Sequence, residues 1–176
     1  MNRSINLAAP PPCRQGGLGW LPREAVPGLP DAVLTVQAGY GPNRGYHQLP
    51  GGHAGHQEPD WRAMDRHVRH EIGRVPRRVR LLGKDWVPAN ATTGAAMGQN
   101  HIYLCEPVPA HAEIVLPPAE PDMEPELTSY RWMTLEDAST YMKDYQVRRF
   151  QELWAAWKNG TTACLDHGRP LLPAAV

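Results

Sequence analysis

An α+β fold is what this 176-residue sequence predicts, and three observations carry that reading. Short β-branched runs, closed by Gly or Pro, are interleaved with one strongly periodic helical segment near the middle of the chain and another near its end. Nineteen prolines and sixteen glycines make up about a fifth of the residues, against about 12% on average, so much of the backbone is loop or turn. The length suits a single domain with a real core.

Residues 1–30 carry PPP at 10–12, GG at 16–17 and prolines at 22, 27 and 30, which predicts an extended tail with no regular element. Ala32–Gln37 is a β-branched run closed by Gly39, Gly41 and Pro42, and reads as a core strand. Tyr46–Leu49 reads as a second short strand. From Pro59 the period changes: Trp61, Met64, Val68, Ile72 and Val75 form one helical stripe, with Pro59 suited to the first turn and Gly73 and Pro76 to the stop. Val79–Leu82 and His101–Cys105 read as strands joined by a Gly/Ala/Asn-rich loop. Residues 106–126 hold six prolines and six acids and read as a rigid acidic loop. Tyr130–Met133 is strand-like, and Thr134 with Glu136 and Asp137 marks a helix start. The last helix runs from Tyr145 to about Lys158, with Gly160 as its stop. Its apolar face (Val147, Phe150, Leu153, Trp154, Trp157) is expected to dock on the core, a homodimer seam being the alternative.

Bulk chemistry narrows the function. Eighteen Lys and Arg balance eighteen Asp and Glu, which argues against an electrostatic nucleic-acid binder or a polybasic membrane anchor. No apolar run reaches the roughly 18–20 residues of a membrane helix, and the amino terminus has no signal-peptide apolar segment. Cys13, Cys105 and Cys164 are scattered and lack metal-binding spacing; free thiols in a cytoplasmic protein are expected.

Five of the eight histidines (His47, His53, His56, His67, His70) crowd into one short stretch. Within it, residues 50–74 read PGGHAGHQEPDWRAMDRHVRHEIGR: Gly52, five residues, Glu58, seven residues, Arg66, then Val68, Glu71 and Gly73. This resembles the Nudix box, G-x5-E-x7-R-E-U-x-E-E-x-G-U with U a bulky aliphatic, at every spacing. Chance agreement falls below about one in a thousand. The likeness covers about residues 31–142. It implies an α/β/α sandwich with a mixed central sheet for residues 31–144, flanked by the 1–30 tail and a C-terminal helical extension, 145–176.

The resemblance also implies chemistry. In the family, a Gly-rich turn and a helix project glutamates onto Mg²⁺ or Mn²⁺ to hydrolyse diphosphates, and oxygen donors suit such hard cations. Carried over, Gly52 makes the tight turn, Arg66 orients Glu58 or meets substrate, and Glu58 ligates metal or positions water. Here R-E-U-x-E-E is Arg66-His67-Val68-Arg69-His70-Glu71, so two helix glutamates are histidines, and Arg74 replaces the closing aliphatic.

Three readings follow. His67, His70 and Glu71 lie on neighbouring helix faces, and with His53 and His56 from the preceding loop they form a set favouring Mn²⁺, Zn²⁺ or Fe²⁺ over Mg²⁺. Alternatively the histidines are metal-free acid–base groups, or solvated residues of a decayed site. Glu124 or Glu126 of the acidic loop would add a carboxylate on the metal or substrate. His101, His111 and His167 are expected as ordinary surface residues. Trp20, Tyr40, Trp86 and Tyr103 are packing residues or, less expectedly, ring-stacking ones. The preferred function is a divergent metal-dependent hydrolase of a nucleotide-linked or other small diphosphate, with Glu58, His67 and Glu71 catalytic. The alternatives are a non-hydrolytic enzyme on the same fold, for which isopentenyl-diphosphate isomerase is the family-level precedent, and a catalytically inactive ligand-binding or scaffold protein.

Overall fold

The computed structural model describes residues 13–92 and 96–171. Its strands are β1 (Arg14–Trp20), β2 (Val33–Ala38), β3 (His47–Gln48), β4 (Gly51–His53), β5 (Arg78–Val87), β6 (Gly98–Cys105), β7 (Leu127–Met133), β8 (Ala163–Asp166) and β9 (Arg169–Pro170). Its helices are α1 (Asp60–Ile72), α2 (Ala138–Tyr141) and α3 (Asp144–Lys158). One sheet has the order β4-β1-β6-β5-β8-β9 and a second the order β3-β2-β7. The larger sheet is mixed, with β1 parallel to β6 and β6 antiparallel to β5.

Strand alternation divides the core into two layers. Ile102 of β6 points to one face with Trp20, Val33, Leu82 and Met133, where Phe150 and Leu153 of α3 complete the cluster. Cys105 points to the other with Leu34 and Val36, covered by Met64, Val68 and Ile72 of α1. The result is a three-layer α/β/α sandwich. Each fully buried α1 side chain contributes roughly 1.5–3 kcal/mol. α1 ends as expected: Gly73 adopts φ 69° and its N–H bonds the Arg69 carbonyl. Val75, expected on the buried stripe, lies past that stop and is exposed.

The expected tail is corrected by β1, an interior strand of the larger sheet between β4 and β6; the first twelve residues lie outside the described ones. Three glycines hide the strand, and Gly17 shows why one is needed: a Cβ there would lie 1.9 Å from the Asp60 carbonyl oxygen, so α1 could not settle onto β1. Trp20 is correspondingly a wholly buried core residue and not a ring-stacking surface. α3 turns Phe150 and Leu153 inward, so the face that could have formed a dimer seam docks on the core. Beyond it, β8 and β9 form an unforeseen hairpin whose turn, His167-Gly168, has positive φ at both residues.

The hairpin is pinned from inside. Asp85 of β5, fully buried, accepts a 2.6 Å bond from Arg149 Nε and a 3.0 Å bond from the Gly168 N–H. Among the described residues, no helix is long and apolar enough to cross a membrane.

Candidate functional site

β4 and the loop after it run beside α1, bringing the box together. Arg66 grips Glu58 with two bonds, Nε to Oε1 at 3.0 Å and Nη2 to Oε2 at 2.7 Å, and the Gly55 N–H adds a third at 2.8 Å. These donors hold the Glu58 carboxyl down at about 2. Arg66 also donates to the His53 carbonyl at 3.2 Å. Its guanidinium is thus turned onto the loop, as an orienting residue would be.

His67 reaches the same carbonyl through Nε2, at 3.1 Å. Its ring lies on Gly52: a Cβ there would fall 2.6 Å from the imidazole. Gly52 is needed for that space, while the left-handed backbone conformation belongs to its neighbour Gly51, at φ 132°. Burial holds His67 below the usual imidazole range, the Arg66 charge adding to it against the His53 bond and the Glu126 and Glu58 charges. His53 is lowered too, by burial and by the Arg14 and His67 charges. Both rings are held toward the neutral form, the one that can ligate a metal or accept a proton.

Three and four positions further along α1 stand the other two box residues. His70 Nε2 meets Glu126 Oε2 at 2.9 Å, tying the end of the acidic loop to the helix. Its alternative Glu124 is elsewhere, in an exposed pair with Arg44 at 2.7 Å. Glu71 is buried and its Oε2 accepts the Gly51 N–H at 2.9 Å. Burial pushes its carboxyl up to about 8, against the Gly51 bond, and the facing Glu126 charge raises it further.

His67, His70, Glu71 and Glu126 are therefore brought to one neighbourhood, where the end of the acidic loop meets α1. His53 joins by its backbone carbonyl, and His56 stays exposed on the loop. Among the described residues, no three His, Cys, Asp or Glu side chains are arranged to hold an ion. The donor set itself, two imidazoles with two carboxylates of which one is buried against the other's charge, is of the kind a divalent cation would satisfy.

A second cluster lies at the start of α1. His101 pairs with Asp60, which also accepts the Tyr103 hydroxyl at 2.8 Å and the Trp61 N–H at 2.6 Å. The His101 side chain is 13% exposed, so it is not the surface residue expected; its place at a two-residue step from Tyr103 on one strand was the available signal. His167 sits in the β8–β9 turn against the Tyr145 ring. His47, also outside the box, is buried against Thr35 and lowered to about 4, chiefly by burial. Tyr40 and Trp86 are exposed.

Known proteins place this arrangement in context. A family model described as NUDIX domain matches residues 25–156. No curated protein matches. Among solved structures, the chain resembles a MutT protein from Methanosarcina mazei Go1 (TM-score 0.62, 16% identity, covering 86% of this chain and 96% of that one). It likewise resembles a C. elegans Ap4A hydrolase in a binary complex (0.62, 17%, 84% and 98%). A third likeness is to the NUDIX domain of Shewanella oneidensis NrtR complexed with ADP ribose (0.61, 16%, 92% and 100%). At these identities the structures speak to the fold, and the match to the family model spans most of the chain: this protein belongs to the NUDIX family.

Proposed function

We propose that this protein hydrolyses the phosphoanhydride bond of a nucleotide-linked or other small diphosphate, using a divalent metal held by His67, His70, Glu71 and Glu126. The observation that carries the reading is the succession of His67, His70 and Glu71 along one side of α1, where Glu126 meets His70 and its charge bears on the buried Glu71. NUDIX hydrolases generally use divalent metals. Imidazole nitrogens shift the preference from Mg²⁺ toward Mn²⁺, Zn²⁺ or Fe²⁺. When bound, the ion would neutralise the diphosphate oxygens.

The chain's own groups take the remaining roles. His67, held toward neutrality by burial, keeps its one free lone pair for the metal; the proton of the attacking water passes to solvent as the new P–O bond forms and the bridging P–O bond breaks. Glu58 is too weak a base to take that proton at about 2, and with Arg66 it fixes the loop carrying His53. The families of ligand named for similar structures, Ap4A and ADP ribose, define the first substrates to try.

A panel of dinucleoside polyphosphates, ADP-ribose and nucleoside triphosphates, assayed with Mg²⁺, Mn²⁺ and Zn²⁺, tests this. Turnover is expected with Mn²⁺ or Zn²⁺ above Mg²⁺, and a His67→Ala/His70→Ala variant, which removes two of the four metal donors, should lose about 100-fold or more. Rearranged products without hydrolysis would move the protein to the isomerase-like reading. Ligand retention without turnover would make it a binding module.

A further inference from the structure

The neutral total charge conceals two unlike regions. Between residues 62 and 80 stand seven arginines and no lysine, against two acids, Asp65 and the buried Glu71. The loop 106–126 has six acids and no Lys or Arg. Several of the arginines are held by the protein: Arg66 by Glu58, and Arg80 by the Thr161 carbonyl at 2.5 Å.

Of the others, Arg62, Arg69, Arg77 and Arg78 are exposed and Arg74 is half-buried. Arg62 and Arg69 are exposed and seven residues apart on α1, which puts them on one face about 10 Å apart along the axis. Arg74 follows at the helix end. Among the described residues, no ion pair involves Arg62, Arg69 or Arg74. Arg77 and Arg78 are exposed and meet Glu106 and Asp65 only at 3.4 Å, a separation at which surface pairs are worth little in water. Beside this stripe lies an open groove of about 310 Å³ lined by Trp61, Arg78, Val79, Arg80, Leu81 and Tyr103. The Arg78 guanidinium carbon sits 4.2 Å from the Trp61 ring centroid, and Val79 is 58% exposed. The groove, on the Trp61 side of α1, lies on the opposite flank from His67 and His70, with Arg62 and Arg69 on the outer face between them.

We propose that the outer face of α1, with the turn into β5, binds single-stranded nucleic acid. Guanidinium forks suit phosphate oxygens, and a groove with aromatic and aliphatic walls suits unpaired bases. An acidic peptide would satisfy the arginines but leave the apolar groove without a matching group, so the strand is the better fit. The site is independent of the metal-binding residues.

Fluorescence anisotropy of labelled single-stranded DNA and RNA 12-mers, in chelator to silence hydrolysis, provides the test. Five phosphate contacts predict a slope of log K against log salt near −3.5, at about 0.7 per contact. An Arg62→Gln/Arg69→Gln/Arg74→Gln variant should bind at least tenfold more weakly with a slope shallower by about 2, its thermal midpoint unchanged. Binding that ignores salt or survives the triple substitution would overturn the proposal. So would equal competition by a poly-glutamate of matched charge, which would point to an acidic protein partner instead.

Discussion

Asp85→Ala should be among the most destabilising single substitutions in this protein, costing about 3–5 kcal/mol in urea unfolding. The carboxylate is fully buried and has two tasks, binding Arg149 Nε at 2.6 Å and the Gly168 N–H at 3.0 Å. Removing it strands a guanidinium on a residue only 6% exposed and leaves a buried N–H unpaired. For a domain of this size each kcal/mol lowers the midpoint by about 2–4 °C, so a drop of roughly 10 °C is expected. Asp85→Asn keeps an acceptor for Gly168 and should fall between. An Asp85→Leu/Arg149→Leu pair removes both charges and should recover much of the loss. A cost below about 1 kcal/mol for Asp85→Ala would mean that the β8–β9 hairpin is not pinned through this carboxylate.

Glu71→Gln should alter the pH dependence of stability as much as it alters activity. In the folded protein this carboxyl is pushed up to about 8 by burial, whereas in the unfolded chain it titrates near 4.5. Between those values the folded state holds a proton that the unfolded state has released. Stability contributed by this group therefore falls as pH rises, by up to about 1.4 kcal/mol per pH unit, and levels off above 8. Metal-free wild-type protein is expected to lose a few kcal/mol between pH 5 and 8. Glu71→Gln, whose carbonyl can still accept the Gly51 N–H, should lose that slope and be the more stable protein at pH 8. With metal present the same substitution should remove hydrolysis. A wild-type slope identical to that of Glu71→Gln would show that Glu71 is already ionised and solvated in the folded state.

The helix carrying the site was legible in the sequence because its buried stripe repeats at helical spacing over Met64, Val68 and Ile72, with a glycine stop. β1 was not, because its glycines serve the close approach of α1, a contact between segments far apart in the chain. The β8–β9 hairpin was missed for a similar reason: its anchor, Asp85, is over eighty residues from Gly168. At the site, the box spacing placed His67, His70 and Glu71 on one helix face. It did not choose between Glu124 and Glu126, which depends on how the acidic loop returns to β7. The seating of His67 on Gly52 was equally hidden, since it joins a loop and a helix in space. Net charge was the least informative quantity, because neutrality of the sum conceals an arginine-rich stretch and an acidic loop.

The central claim is that the two histidines set the metal preference of a working hydrolytic site. Its most direct test is the metal dependence of diphosphate hydrolysis in wild type and in His67→Glu/His70→Glu, which restores the carboxylates of the family pattern. Wild type is expected to work best with Mn²⁺ or Zn²⁺, and the double variant to shift to Mg²⁺. An unchanged metal preference, or no hydrolysis by either protein with any of the three ions, would contradict it.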